Sequence, residues 1–306
     1  RYSKVASYGN ACYVNEADLL EFFEVDPDTK IVGMYIEGAR NGRKFAEVLR
    51  RLGPNKPVVV WKGGLTPDGA TAAASHTGSL AGTVEVWKAL IRQAGAVQVA
   101  SLEEMLDTLA GFHFWPGLCD RRVAYVCCGG GNSVVAGDAC YQAGLILPRL
   151  SQEVRDRLAP LLMPVGTSNA NPVDVGVPFP RGSDLKGILE IIASSGSVGA
   201  IVVDKLPLSS ELRRLLHYRE QMGWDDEPWL SEIPILVSRA HGIPVIMVLR
   251  EGGDVPGGAD CQAERHRLRH FYQENGVAVY PTGERALRAL GHVVAYYERR
   301  KELEGI

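Results

Sequence analysis

The stretch that decides the fold is Arg121–Gly144, "RRVAYVCCGGGNSVVAGDACYQAG". A short apolar run leads directly into three glycines, and then into a helical stretch that opens with Asn132 and Ser133. Strand, tight turn, helix is the opening of a parallel α/β module, in which helices carry the chain back across a sheet. Outward from it the same alternation continues. On the C-terminal side follow "AIVVDK" (200–205), "IPVIMVLREGG" (243–253) and "ENGVAVYPTGERALRALGHVV" (274–294). On the N-terminal side "KIVGMYIE" (30–37), "KPVVVWK" (56–62) and "AVQVA" (96–100) read as strands, with "GRKFAEVLRRL" (42–52) and "VEVWKALIRQ" (84–93) as helices. Ser101 with Glu104 makes a capping box for a helix over 102–112.

The two halves echo each other, which predicts two copies of one doubly wound, flavodoxin-like module with a parallel sheet. "AIVVDK" matches "IVGMYIE", "IPVIMVLREGG" matches "KPVVVWKGG", and "ENGVAVYPTGERALRALGHVV" matches "QAGAVQVASLEEMLDTLAG" (93–111). The break "HFWPGLCD" (113–120) sets the expected domains at 1–117 and 118–306. The second copy opens with the strand, glycine turn and helix, whereas the first starts one step later, near "KVASYGN" (4–10). The first copy is therefore expected to lack its leading strand and helix, as in a piece of a longer protein.

Composition narrows the functions. Thirty-three Lys and Arg against 36 Asp and Glu leave a net charge of −3 with no basic run, so nucleic acid is not an expected partner. No apolar stretch approaches the ~18 residues of a membrane span. The six cysteines are scattered without a zinc spacing or a disulfide framework. Cys127 and Cys128 point to opposite faces of a strand, and the whole reads as reduced thiols in a cytoplasmic protein. The segment "YREQMGWDDEPWLSEIPILVSRAHG" (218–242) reads as a helical excursion with Trp224 and Trp229 on an exposed face.

Chemistry concentrates in three places. In "ATAAASHTGSLAGT" (70–83) a lone His76 stands among small residues. Imidazole is the neutral-pH nucleophile suited to accept a phosphoryl group and hand it on, and a small-residue loop leaves room for it to move. Thr77, Gly78 and Ser79 offer hydroxyls and amides to phosphate oxygens, and a helix starting near Gly82 adds a positive dipole end. Glu37 closes its strand at the carboxyl edge, where α/β sites assemble. A carboxylate there holds one ring nitrogen as N–H and leaves the other free to attack. Gly129, Gly130 and Gly131, with Asn132 and Ser133, form a strand-to-helix turn whose amides face an anion.

Other arrangements weigh less. "NPVD" (171–174) reads as turn chemistry outside the site. His266 and His270 share a helix face, but the "RLR" between them speaks for a solvated basic helix rather than a metal site. Ser75 and Ser79 beside His76 lack the elbow of a hydrolase nucleophile. Asp204, the repeat's counterpart of the strand-end carboxylate, takes no role.

On the motifs "KPVVVWKGGLTPDGATAAASHTGSLAGT" (56–83), "YIEGARNGRKF" (35–45), "VCCGGGNSVVAGDACYQAG" (126–144) and "NPVDVG" (171–176), the chain resembles the NDP-forming (ADP-forming) acyl-CoA synthetases, relatives of succinyl-CoA synthetase. The resemblance implies a phosphohistidine at His76, oriented by Glu37, that relays phosphate between acyl-CoA and ADP. It implies CoA, ATP/ADP, phosphate and Mg2+ as cofactors and substrates, with acyl-CoA and an organic acid exchanged. It implies as partners a CoA-binding Rossmann domain and an ATP-grasp domain or subunit, within an oligomer. The competing expectation is a degenerate member that senses acyl-CoA or acts as a scaffold, against which the intact "SHTGS" (75–79) speaks.

Overall fold

The computed structural model describes residues 2–77, 83–176, 182–205, 232–250 and 258–304. The chain divides into two compact units, Arg1–Cys119 with His292–Ile306, and Asp120–Gly291. The break falls two residues from Gly117. Residues 292–306, expected in the second copy, group with the first unit instead.

Unit 1 runs α1 (Glu16–Val25), β1 (Val32–Ile36), α2 (Gly42–Leu52), β2 (Val58–Lys62), α3 (Pro67–Thr77), α4 (Val84–Gln93), β3 (Val97–Val99) and α5 (Leu102–Phe114). Its three strands are parallel in the order β1-β2-β3, with Ile36 opposite Lys62. The central strand begins with Val58, Val59 and Val60, all buried, as expected where both faces of a parallel sheet are covered. Helix α2 starts on Asn41, whose side chain accepts from the Lys44 amide at 3.1 Å. It turns Phe45, Val48, Leu49 and Leu52 inward, a helical stripe in which each side chain contributes about 1.5–3 kcal/mol by leaving water. Helix α1, which the sequence reading passed over, carries a complete capping box: Asn15 accepts from Ala17 and Asp18, and Asp18 accepts from the Asn15 amide at 3.1 Å.

Unit 2 runs β4 (Val123–Cys127), α6 (Gly130–Gln142), α7 (Gln152–Leu158), β5 (Val173–Asp174), α8 (Gly182–Ser194), β6 (Ala200–Lys205), α9 (Ile233–His241), β7 (Val245–Leu249), α10 (Gly258–Glu274) and β8 (Val279–Tyr280). Its five parallel strands lie in the order β5-β4-β6-β7-β8, which in the module's own count is 2-1-3-4-5, the flavodoxin-like order. Strands β4 and β7 are buried at every residue. The last helix, α11 (Gly283–Glu304), begins in unit 2 and from His292 onward belongs to unit 1. There Phe112 meets Tyr296 edge-on at 5.1 Å, and the Tyr296 hydroxyl donates to the Gly53 carbonyl at 2.8 Å.

The repeat is visible in the topology, since β1-β2-β3 reproduce the order of β6-β7-β8. Residues 4–10, where the counterpart of β5 is due, form no strand. The reason is pairing: among the described residues the one strand β5 pairs with is β4, and unit 1 has no strand in that place. "NPVD" is corrected here from a turn to an edge strand. Asn171 donates to the carbonyls of Val123 (2.8 Å) and Pro148 (3.2 Å) and accepts from the Tyr125 amide (3.0 Å), which seats Val173 and Asp174 beside Val126 and Cys127. Residues 206–231, with Trp224 and Trp229, lie outside the described residues; the far end of that excursion forms α9. Among the described residues no helix is long and apolar enough to cross a membrane.

Candidate functional site

In unit 1 the site grows from the carboxyl ends of β1 and β2. Glu37 follows Ile36 directly, and the Tyr35 hydroxyl donates to its Oε1 at 3.0 Å. Its other oxygen, Oε2, is buried and has no hydrogen-bond partner among the described residues. Lys62, the last residue of β2, is only 3% exposed. Its ammonium donates to the Glu37 carbonyl at 2.7 Å and to the Gly63 carbonyl, and lies 5.1 Å from the centre of the Trp87 ring. Burial pushes the Lys62 pKa down, and the charge of Glu37 opposes that. A Cβ at Gly63 would stand 2.6 Å from the Tyr35 hydroxyl, so a side chain there would displace that ring. Tyr8 lies within the field of the same edge: burial raises its pKa first, then the charges of Glu16 and Glu37.

Four residues on, the chain enters α3. The Thr66 hydroxyl accepts from the Gly69 amide at 3.1 Å, Pro67 takes the first helical position, and Asp68 sits in the first turn. This helix carries the backbone of His76 in its last turn, where the sequence reading expected a loop. Ala70, Ala72, Ala73 and Ala74 are the strongest helix formers and follow a clear start signal, which outweighs the loop-like run of small residues around His76. Thr77 closes the helix, while Gly78 and Ser79 lie outside the described residues. The next helix, α4, starts at Val84, two residues beyond Gly82.

In unit 2 the glycine turn has a definite form. Gly129 has φ +89°, a conformation that favours glycine, and caps α6. Its amide donates to Asp174 Oδ1 at 2.7 Å, and the Gly176 amide reaches the same oxygen at 2.9 Å. Asn132 turns back to the Cys128 carbonyl at 2.6 Å, and Ser133 Oγ lies 3.4 Å from Cys127 Sγ. A Cβ at Gly131 would meet nothing within 4 Å, so open space lies before the first turn of the helix. Asp174, left out by the sequence reading, is thus the residue that shapes the turn; its signal was a carboxylate one residue from the end of an apolar pair.

Asp204 also has partners the sequence did not reveal. It is 1% exposed, accepts from the Tyr125 hydroxyl at 2.6 Å, and pairs with Arg250 through Nε (2.8 Å) and one terminal nitrogen (2.6 Å). Burial raises the Tyr125 pKa, with Asp204 adding to it, while the bond to Asp204 raises that of Arg250. Burial pushes Cys127 up to about 11 and Cys128 up to about 12, so both remain thiols at neutral pH. His266 and His270 are exposed on α10, where His270 pairs with Glu274 at 3.2 Å. A groove of about 500 Å3 in unit 1, with Lys88, Arg92 and Arg299 on its walls, shares no residue with the candidate site.

Residues 1–112 match the succinyl-CoA ligase-like flavodoxin domain. That segment belongs to this family. Both Glu37 and His76 fall within it, and the turn at Gly129 lies beyond it. The chain is 32% identical over 288 residues to the alpha subunit of acetate–CoA ligase (ADP-forming) I of Pyrococcus furiosus, covering 94% of this chain and 57% of that protein. It is 29% identical over 302 residues to acetate–CoA ligase (ADP-forming) II of Archaeoglobus fulgidus, covering 98% and 41%. The chain thus spans about half the length of these relatives. Among solved structures it is similar to the dinucleotide-forming acetyl-coenzyme A synthetase 1 of Ca. Korarchaeum cryptofilum, in complex with phosphate and ADP, with a TM-score of 0.76 and 26% identity over 98% of this chain and 60% of that one.

Proposed function

We propose that this chain is the phosphohistidine-bearing part of an ADP-forming acyl-CoA synthetase. The observation that carries the reading is Glu37, fixed at a strand end by Tyr35 and through its own carbonyl, with one buried carboxylate oxygen that has no partner among the described residues. A buried acceptor of that kind suits an imidazole N–H, and His76 lies on α3, the helix that follows β2.

In the relay, phosphate displaces CoA from acyl-CoA and gives an acyl phosphate. A ring nitrogen of His76 then attacks phosphorus; the bond to the acyl oxygen breaks, and the acid leaves as carboxylate. The terminal phosphate oxygen of ADP next attacks the same phosphorus, the P–N bond breaks, and ATP forms with the imidazole restored. Glu37 keeps the other nitrogen protonated throughout, which directs attack through a single nitrogen. Thr77, Gly78, Ser79 and the turn from Gly129 to Ser133 are proposed to hold the phosphoryl oxygens, the latter through the free amides of a helix start. Asp174 keeps that turn in shape.

This reading assigns CoA to a CoA-binding Rossmann domain, and nucleotide with Mg2+ to an ATP-grasp domain or subunit, in an oligomeric cytoplasmic enzyme. Among the described residues no group of three or more His, Cys, Asp or Glu is placed to hold a metal ion. The test is incubation with terminally labelled ATP in the presence of the ATP-grasp partner. Acid-labile, base-stable label is expected on the wild-type chain and absent from His76→Ala. A wild-type chain that takes no label points instead to a scaffold.

A further inference from the structure

We propose that Lys62 is a positioning residue for the relay, holding Glu37 in place from inside the sheet; this rests on the roles given above to Glu37 and His76. Lysine is almost never fully buried without a charged partner, because stripping water from an ammonium costs several kcal/mol. Lys62 is buried nonetheless, and no carboxylate lies within ion-pair distance of it among the described residues. A methionine or leucine would fill the end of β2 at lower cost. What the ammonium does there is specific: it joins the carbonyls of Glu37 and Gly63, the first residues beyond β1 and at the end of β2. The Glu37 backbone is thereby pinned at its carbonyl, and its side chain is pinned at Oε1 by Tyr35. That leaves Oε2, buried and without a hydrogen-bond partner among the described residues. Trp87 closes one side of the ammonium, and the missing side chain at Gly63 leaves room for Tyr35.

The test needs no other domain. Potassium phosphoramidate phosphorylates imidazole directly: the ring nitrogen attacks phosphorus, the P–N bond of the reagent breaks, and ammonia leaves with the proton. Phosphorylation of His76 in the 306-residue chain is followed by peptide mass spectrometry, with exposed His266 as internal reference. Relative to wild type, Lys62→Met is expected to slow His76 roughly tenfold, the size of coupling seen between contacting residues. Glu37→Gln should slow it at least as much, and the double variant no more than Glu37→Gln alone, since Lys62 acts through Glu37. Additive losses, or a folded Lys62→Met that reacts at the wild-type rate, would overturn the role of Lys62 and leave that of Glu37 standing. A Glu37→Gln variant with unchanged His76 reactivity overturns the underlying reading instead. Thermal melts check that each variant folds. Should Lys62→Met fail to fold, Lys62→Gln, which keeps N–H donors for the two carbonyls, is expected to react near the wild-type rate; a folded Lys62→Gln as slow as Glu37→Gln would overturn the pinning role.

Discussion

Replacing Arg250 by methionine tests the electrostatic logic of unit 2. Asp204 is 1% exposed and receives three hydrogen bonds, two from Arg250 and one from Tyr125. Without the guanidinium, a desolvated carboxylate keeps a single phenol donor. Removing one partner of a fully buried pair costs about 3–5 kcal/mol, and because the Arg250 side chain is 30% exposed, water repays part of that. A loss of about 3 kcal/mol is expected, or a drop of roughly 6–12 °C in the melting temperature of a unit of this size. The assay is a urea and thermal melt of the chain, run with Arg250→Met, Asp204→Asn and the double variant. The cycle should return a coupling of about 1–3 kcal/mol, with the double variant more stable than the sum of the singles predicts. Arg250→Met within about 0.5 kcal/mol of wild type, or strict additivity, would refute the claim that the pair is desolvated and mutually dependent.

Three more outcomes are expected. Asp174→Ala leaves the amides of Gly129 and Gly176 without their acceptor; it should cost about 2–4 kcal/mol in a melt and weaken phosphate binding, read by 31P NMR titration. With a thiol reagent at pH 8, exposed Cys12 should react at once, while Cys127 and Cys128, raised to about 11 and about 12, should be at most roughly one part in a thousand thiolate and react only as urea unfolds the chain. Tyr296→Phe keeps the edge-on contact with Phe112 but loses the bond to Gly53, and should cost about 1 kcal/mol in the same melts.

What the sequence made legible was set by local signals. Helices α2 and α4 occupy the residues read as "GRKFAEVLRRL" and "VEVWKALIRQ", because apolar spacing and flanking polar residues agree there. The capping box at Ser101 formed with one difference: Glu104 takes the amide of Ala100 rather than that of Ser101. Short two-residue strands such as β5 and β8 carry almost no periodicity, and β5 was missed because its placement depends on Asn171 bonding across 46 and 48 residues of sequence. At the site, Glu37 was legible as a strand-end carboxylate. Lys62 was not: a lysine closing an apolar run reads as a solvent-facing strand end, and only the fold shows that it turns inward. The Arg250–Asp204–Tyr125 cluster draws on three separate strands or their ends, and no window of sequence contains it.

Helix α11 has a consequence for how the protein is made. Its second part supplies Tyr296 and His292, which bond to Gly53 and to Glu104 (3.0 Å) more than 180 residues earlier. A ribosome therefore releases all of unit 2 before the piece that completes unit 1 emerges. During that interval Phe112 and the Gly53 carbonyl wait uncovered, so the first-made half of the chain is the last to finish folding, and a nascent fragment stopped at Cys119 should be the form that chaperones hold longest.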